Sequence, residues 1–324
     1  MATYKEEHGN AIVKVTTDPT NPVVGQVWYN STDQALKGFT SNPAGSWATG
    51  GVMGTLTTGS GAGTQTEALV FGGHQGPGSY NLTQYYNGNS WTTLTATLNS
   101  ARSSAGGTGT YTSALMFGGY DNGGPLAPLG YLARTESYNG SAWTEVSDLN
   151  DGRQILGSAG ADNTSALAYG GLSPGYSTNT ETWNGSSWTE VNNLNTGRYS
   201  QGDGSITSAL NVGGLASPTR LAIVESWNGT SWTEVGDLNT ARTGAGVSAD
   251  DNTIALAYGG SVPPDTTKTE LWNGSSWSEQ NDLLSAGNGS SNIGNASAAL
   301  SANKPGGSNE WNAPFNSTVT FTTT

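Results

Sequence analysis

Apolar residues come in short bursts along this chain, and two kinds of burst alternate. The first kind is an apolar run closed by Gly-Gly: TEALVFGG (66–73), TSALMFGG (112–119), TSALAYGG (164–171), TSALNVGG (207–214) and NTIALAYGG (252–260). The second follows after a variable gap: YYNGNSWTTL (85–94), ESYNGSAWTEV (136–146), ETWNGSSWTEV (181–191), ESWNGTSWTEV (225–235) and ELWNGSSWSEQ (270–280). Near-continuous apolar runs bounded by turn residues predict strands buried on both faces. The Asn-Gly within each second unit predicts a hairpin with a type I′ turn, which needs positive φ at both central residues. Glycine-rich stretches such as Ser103–Gly109 and Thr243–Ser248 precede the apolar runs. They predict an innermost strand, placed where side chains would collide. Each repeat thus reads as four strands: a through glycines, b before Gly-Gly, c ending in Tyr-Asn-Gly or Trp-Asn-Gly, and d starting at the second Trp. Helix signals are nearly absent.

The second tryptophans stand at 91, 143, 188, 232 and 277, in steps of 52, 45, 44 and 45. A strand-rich period in the forties predicts a β-propeller, because other repeats of that length, such as HEAT and armadillo, are helical. Gly-Gly after b, an aromatic on c and Trp on d resemble the kelch repeat over roughly residues 44–312. A degenerate sixth copy spans 295–307 and 310–312, and Trp47 lies 44 residues before Trp91, in register with the d-strand tryptophans. The expected fold is all-β: a six-bladed kelch-like β-propeller over 44–324, with a short N-terminal β-hairpin arm over 1–43. The sixth blade draws its d strand either from Gly45–Gly50 or from Thr318–Thr323.

Composition narrows the function. Glycine makes up 48 of 324 residues, or 15%, about twice the usual ~7%. Charged residues are 11% against a usual ~25%. The formal charge of −13 argues against nucleic acid or an anionic membrane as partner, since both need clustered positive charge. The chain has no cysteine, so disulfides, thiolate nucleophiles and zinc–thiolate sites are excluded. No apolar run approaches the ~18–20 residues that span a bilayer. MATYKEEHGN has no apolar signal-peptide core, so export by that route is not expected.

The chemistry on offer is sparse. The two histidines are His8 and His74, and neither sits in a catalytic or metal-binding pattern; no catalytic residue, metal or cofactor is expected. Arg102, Arg153, Arg198 and Arg242 open strand a in blades 2–5, and Glu136, Glu181, Glu225 and Glu270 sit on strand c of the same blades. Blade 1 has Thr57 and Gln84 instead, and blade 6 has Gly287 and Glu310. The expectation is a partly buried, bidentate Arg–Glu pair within each of blades 2–5. The d-strand tryptophans, one per blade at fixed register, are expected to pack blade against blade. Asp162-Asn163 and Asp250-Asp251-Asn252 fall between strands a and b, where Asp and Asn make turns. Sequons such as those at Asn184 and Asn228 come from repetition of the turn.

Variation concentrates in the b–c loops. The longest is YDNGGPLAPLGYLA (120–133). It offers Tyr120, Asp121, Asn122 and Tyr131; other b–c loops offer His74, Tyr80 and Tyr176. Aromatics beside Asp and Asn suit carbohydrate, while a tolerated surface insertion would look the same.

The segment GQVWYNSTDQALKGF (25–39) reads as a hairpin around Asn30–Asp33. Together with the trailing WNGSSWTE units it resembles structural proteins of tailed bacteriophages, marine ones especially. That resemblance implies a non-enzymatic virion protein, a tail fibre, spike or surface module. Its arm would dock on other virion proteins in a homo-oligomeric or heteromeric assembly, and its propeller would face a host surface, such as a glycan. The arm also fits a simple cap on the propeller. Two other readings stay open: a secreted carbohydrate-binding (lectin or adhesion) propeller and a polysaccharide-degrading enzyme.

Overall fold

The computed structural model describes residues 12–42, 44–54, 59–75, 78–121, 130–287, 291–302 and 307–321. The chain divides into two compact units, Met1–Gly45 with Ala313–Thr324, and Ser46–Asn312.

The larger unit is all-β, a β-propeller with no helix among its described residues. Its second sheet shows the plan: Gly106–Thr110, Ser113–Phe117, Thr135–Tyr138 and Trp143–Val146 pair antiparallel in that order. Four other sheets repeat it, from Ser60–Gly63 to Trp91–Thr93, Gly157–Asp162 to Trp188–Val191, Gly202–Ser205 to Trp232–Val235, and Gly246–Ala249 to Trp277–Glu279. Burial follows position in the sheet. The b strand is almost wholly buried, while d buries its tryptophan and exposes the next two residues.

A sixth sheet holds Leu300–Ser301, Asn309–Asn312 and Ser46–Thr49, with Trp47 opposite Trp311. Of the two candidates for its d strand, the one ahead of the first blade takes the place. Residues 291–294 stand at the inner edge of this sheet. Ser248 Oγ donates to Ile293 O at 2.9 Å, and Gly294 N donates to Gly63 O at 3.0 Å. The inner edge therefore bonds to the fifth sheet on one side and to the first on the other.

The tryptophans join neighbouring sheets. Trp143, Trp188, Trp232 and Trp47 donate Nε1–H to Thr83, Thr135, Thr180 and Thr269 of the preceding sheet at 2.9–3.1 Å. Their rings lie 4.8–5.0 Å from Phe71, Phe117, Tyr169 and Tyr258, the aromatics that end the preceding b strands. Trp277 departs from the pattern because Val224 and Val212 occupy the matching places; its Nε1–H goes to Gly236 O at 3.0 Å.

Two local expectations need correction. The c–d turn is not type I′. Tyr138 pairs with Trp143, which leaves a four-residue loop, and only its glycine, Gly140, has positive φ. Asn139 Oδ1 instead accepts the backbone N–H of Ser141 and Ala142, both at 3.0 Å, so the asparagine side chain does the work that positive φ would have done. The C-terminal strand also belongs elsewhere. Phe315–Phe321 pairs with Ala35–Asn42 in the smaller unit, which ends the propeller at Asn312.

The smaller unit is correspondingly more than a hairpin. Its sheet runs Val13–Val15, Val27–Asn30, Ala35–Asn42, Phe315–Phe321, the first pair parallel and the others antiparallel. Trp28 is fully buried, and its Nε1–H donates to Asp18 Oδ1 at 2.9 Å. Asn30 Nδ2 and Lys37 Nζ reach the same carboxylate, each at 2.8 Å. These bonds, that from Lys37 above all, hold the Asp18 carboxyl down at about 2.

Candidate functional site: the b–c face and its central cavity

The geometry of this face starts from the buried ion pairs. Arg102–Glu136, Arg153–Glu181, Arg198–Glu225 and Arg242–Glu270 meet at 2.5, 3.0, 2.5 and 2.6 Å, and all four guanidinium groups are fully buried. The contacts are not bidentate: each guanidinium meets a single carboxylate oxygen. The other oxygen is taken by an asparagine three residues before the arginine. In blade 4, Asn195 donates its backbone N–H and Nδ2 to Glu225 Oε2 at 2.7 and 2.8 Å; Asn99, Asn150 and Asn239 repeat this. Burial pulls each arginine below its ordinary value, and the facing glutamate opposes that pull. The sixth sheet lacks this unit. Leu284 and Gly287 stand at the asparagine and arginine places, and the register puts Asn309, not Glu310 as expected, at the glutamate place; Glu310, one residue on, accepts a hydrogen bond from Tyr86 OH of the first sheet. Burial, with Glu310, pushes the Tyr86 phenol up to about 12. Thr57 lies outside the described residues.

Each anchored arginine fixes the residues after it. The next residue bridges to the start of the b–c hairpin of its own blade: Ser103 to Tyr120, Gln154 to Leu172, Tyr199 to Leu215, Thr243 to Ser261. Two residues after the arginine the backbone turns left-handed at Ser104 (φ 57°), Ile155 (φ 50°) and Gly244 (φ 68°). At Ile155 this is strained, since β-branched residues avoid positive φ. Its N–H donates to Ser104 O at 2.7 Å and its carbonyl accepts Ser200 N at 3.0 Å, so both neighbouring blades hold it there.

These segments wall a cavity of about 350 Å³ at the centre of the b–c face. Ser104, Ile155, Leu156, Tyr199, Gln201 and Thr243 are among its walls, and among the described residues no charged side chain is. Tyr199 carries the wall outward: its ring meets Tyr176 edge-on at 5.3 Å. Burial raises the Tyr199 phenol, with smaller contributions from Tyr176 and Tyr131. Tyr131 in turn meets Tyr120 edge-on across a two-residue ribbon, at 5.9 Å.

The predicted loop residues therefore divide. Tyr120, Tyr131 and Tyr176 gather with Tyr199 into one aromatic group. Asp121 is buried at 4% exposure. His74 pairs with Ser79 in the first b–c ribbon, and Tyr80 N donates to Gly73 O at 2.8 Å; neither lines the cavity. Asn122 and His8 lie outside the described residues. Tyr199, Gln201, Thr243 and Ile155 were not foreseen. Their signal was present, since a constant arginine is followed by RSSA, RQIL, RYSQ and RTGA (102–105, 153–156, 198–201, 242–245).

A second cavity of about 220 Å³ lies toward the a–b turns, with Asp203 and Asp250 in its lining; Asn292 lines both cavities. Asn292 Nδ2 donates to Gly202 O at 2.8 Å and its Oδ1 accepts Val247 N at 3.1 Å. Asp203 accepts the N–H groups of Gly204 and Ala249 at 2.8 and 3.0 Å. Burial outweighs those bonds and pushes its carboxyl up to about 8. Among the described residues, no three His, Asp or Glu side chains come together as metal ligands, and no helix is long and apolar enough to cross a membrane. In comparisons with known proteins, no protein-family model and no curated protein matches the chain.

Proposed function

We propose that the chain is a non-enzymatic attachment component of a tailed-phage virion. In this reading the propeller presents its b–c face to a host surface, and the smaller unit seats on other virion proteins. One observation carries the recognition half. The parts that repeat hold the sheets together, and the parts that differ between repeats converge on one face around an uncharged cavity. A polysaccharide hydrolase would place two carboxyl groups ~5–10 Å apart at that face, and none of the described residues that line the cavity carries one. The docking half is supported by exposed apolar side chains on the smaller unit, Val23 at 71% and Val24 and Val13 at 56%. The virion assignment rests on the resemblance of residues 25–39 and the WNGSSWTE units. Gold-labelled antibody to the chain, imaged on purified particles, tests it. Label at a fixed virion position is expected; particles that never carry the chain would sink the assignment.

A further inference from the structure

We infer that the central cavity of the b–c face binds a neutral saccharide, one or two sugar rings in size. This rests on reading that face as the recognition face, and it names what the cavity takes.

The lining decides the chemical class. It comes from all six sheets and, among the described residues, contains no Asp, Glu, Lys, Arg or His. A charged ligand would lose its water there and find no counter-charge, which costs several kcal/mol or more. A purely apolar ligand fits no better, because the wall carries unspent polar groups. Among the described residues, the hydroxyls of Ser104, Thr243 and Ser261 and the phenol of Tyr199 have no protein partner. Gln201 is oriented by its neighbour: Oε1 accepts Gly244 N at 3.0 Å, which leaves the Nε2 donors unused. These groups mix donors with acceptors, as the hydroxyls of a sugar do.

Shape agrees with chemistry. Ile155 and Leu156 give the wall an apolar section beside the hydroxyls. Tyr199 adds an aromatic face with a polar tip. A sugar ring has the same two characters, with C–H faces and a hydroxyl edge. The volume of about 350 Å³ falls at the small end of ligand sites, which run ~300–1,000 Å³. Asn292 lies at the floor, with one Nδ2–H donated to Gly202 O and Oδ1 accepting Val247 N. The left-handed Ile155 belongs to the same wall. Strain of this kind persists only where the surroundings impose it, and it collects at ligand sites. Tyr176, which meets Tyr199 edge-on, and the Tyr120–Tyr131 pair of the neighbouring b–c ribbon offer a longer glycan further contacts.

The test uses the full chain and calorimetric titration with glucose, galactose, mannose, N-acetylglucosamine and their methyl glycosides. Glucuronate and glucosamine serve as charged comparators. At least one neutral sugar is expected to bind at least tenfold more tightly than either charged one. Thr243→Trp, which fills the cavity, should weaken that binding at least tenfold. Tyr199→Phe removes one hydroxyl and no volume, and should weaken it several-fold even if the tryptophan variant folds poorly. The inference fails if no neutral sugar titrates, if glucuronate or glucosamine binds as well, or if both variants bind like the parent chain. Attachment to host cells is scored separately. Attachment without any sugar response removes the cavity assignment and leaves the attachment reading; sugar binding without attachment does the reverse.

Discussion

The carbonyl oxygen of Arg153 accepts the backbone N–H of Gly119, one blade back, at 2.8 Å. The same contact joins Arg102 to Gly73, Arg198 to Gly171 and Arg242 to Gly214. The arginine of one blade thus uses its side chain within its own sheet and its backbone on the Gly-Gly of the sheet before. The two most regular sequence signals, Gly-Gly and the arginine, are two sides of one inter-blade joint.

The glycines of that joint are expected to be intolerant. Gly119 has φ 106°, and a Cβ there would stand 2.8 Å from Ser103 O. Gly119→Ala should cost at least ~1–3 kcal/mol from the backbone conformation alone. Urea unfolding measures it; a variant within ~0.5 kcal/mol of the parent would mean the joint relaxes freely.

Breaking one ion pair should cost more than replacing it. Arg198→Ala leaves Glu225 buried with only its asparagine and backbone donors, at an expected loss of ~3–5 kcal/mol. Arg198→Met combined with Glu225→Leu keeps the volume without the charge and should recover much of that loss. Equal destabilisation by both would show that the pair itself supplies the stability.

The tryptophan–threonine bonds give a paired test. Thr180→Val leaves the Trp232 Nε1–H buried without its acceptor, for ~1–3 kcal/mol. Val224 already occupies the equivalent place and Trp277 has found Gly236 O, so Val224→Thr should change stability by less than that. Thermal unfolding of the two variants side by side checks the ordering.

Asp203 sets a pH dependence. Its carboxyl stands at about 8 in the folded chain against an ordinary 3.8. The folded state therefore holds a proton that the unfolded state releases between those values. Stability from this group is complete below pH ~4 and is lost as pH rises toward ~8, by up to ~1.4 kcal/mol per pH unit. Asp203→Asn should flatten that fall, so native and variant diverge increasingly from pH 4 to 8 in denaturant titrations. Parallel curves would show that Asp203 ionises normally.

A chain trimmed to 46–312 should unfold in one cooperative transition. A chain beginning at Gly51 should not, because it lacks Trp47, which bonds Thr269 and packs on Tyr258. Removing 1–43 alone leaves Phe315–Phe321 without its partner strand Ala35–Asn42, so a clean separation of the units requires both deletions. Circular dichroism and calorimetry on the three chains distinguish these cases.

The repeat was legible because each regular position meets a demand that recurs: b must be buried, Trp must reach the sheet before its own, Gly-Gly must pass close to an arginine carbonyl. What escaped was set by partners distant in sequence. Asn99 reads as an ordinary turn residue until Glu136 is seen to accept from both its backbone N–H and its Nδ2. Tyr199 reads as one variable residue after an arginine, and only the packing of the fourth sheet on the third brings it to Tyr176. The C-terminal strand read as part of the propeller, and only its pairing with Ala35–Asn42, far away in sequence, puts it in the smaller unit. The c–d loops misled because the asparagine carboxamide, by accepting the N–H groups two and three residues on, closes a four-residue loop that starts with the same Asn-Gly as a two-residue turn.

The sixth sheet also fixes an order of events. Residues 46–49 leave the ribosome first among the propeller strands, yet their partner, 309–312, comes last. Throughout synthesis the nascent propeller carries two unmatched strand edges, and such edges invite pairing with other chains. A translation product cut short before Asn309 keeps that opening for good, so pairing of the sixth sheet reports that synthesis has passed its last strand.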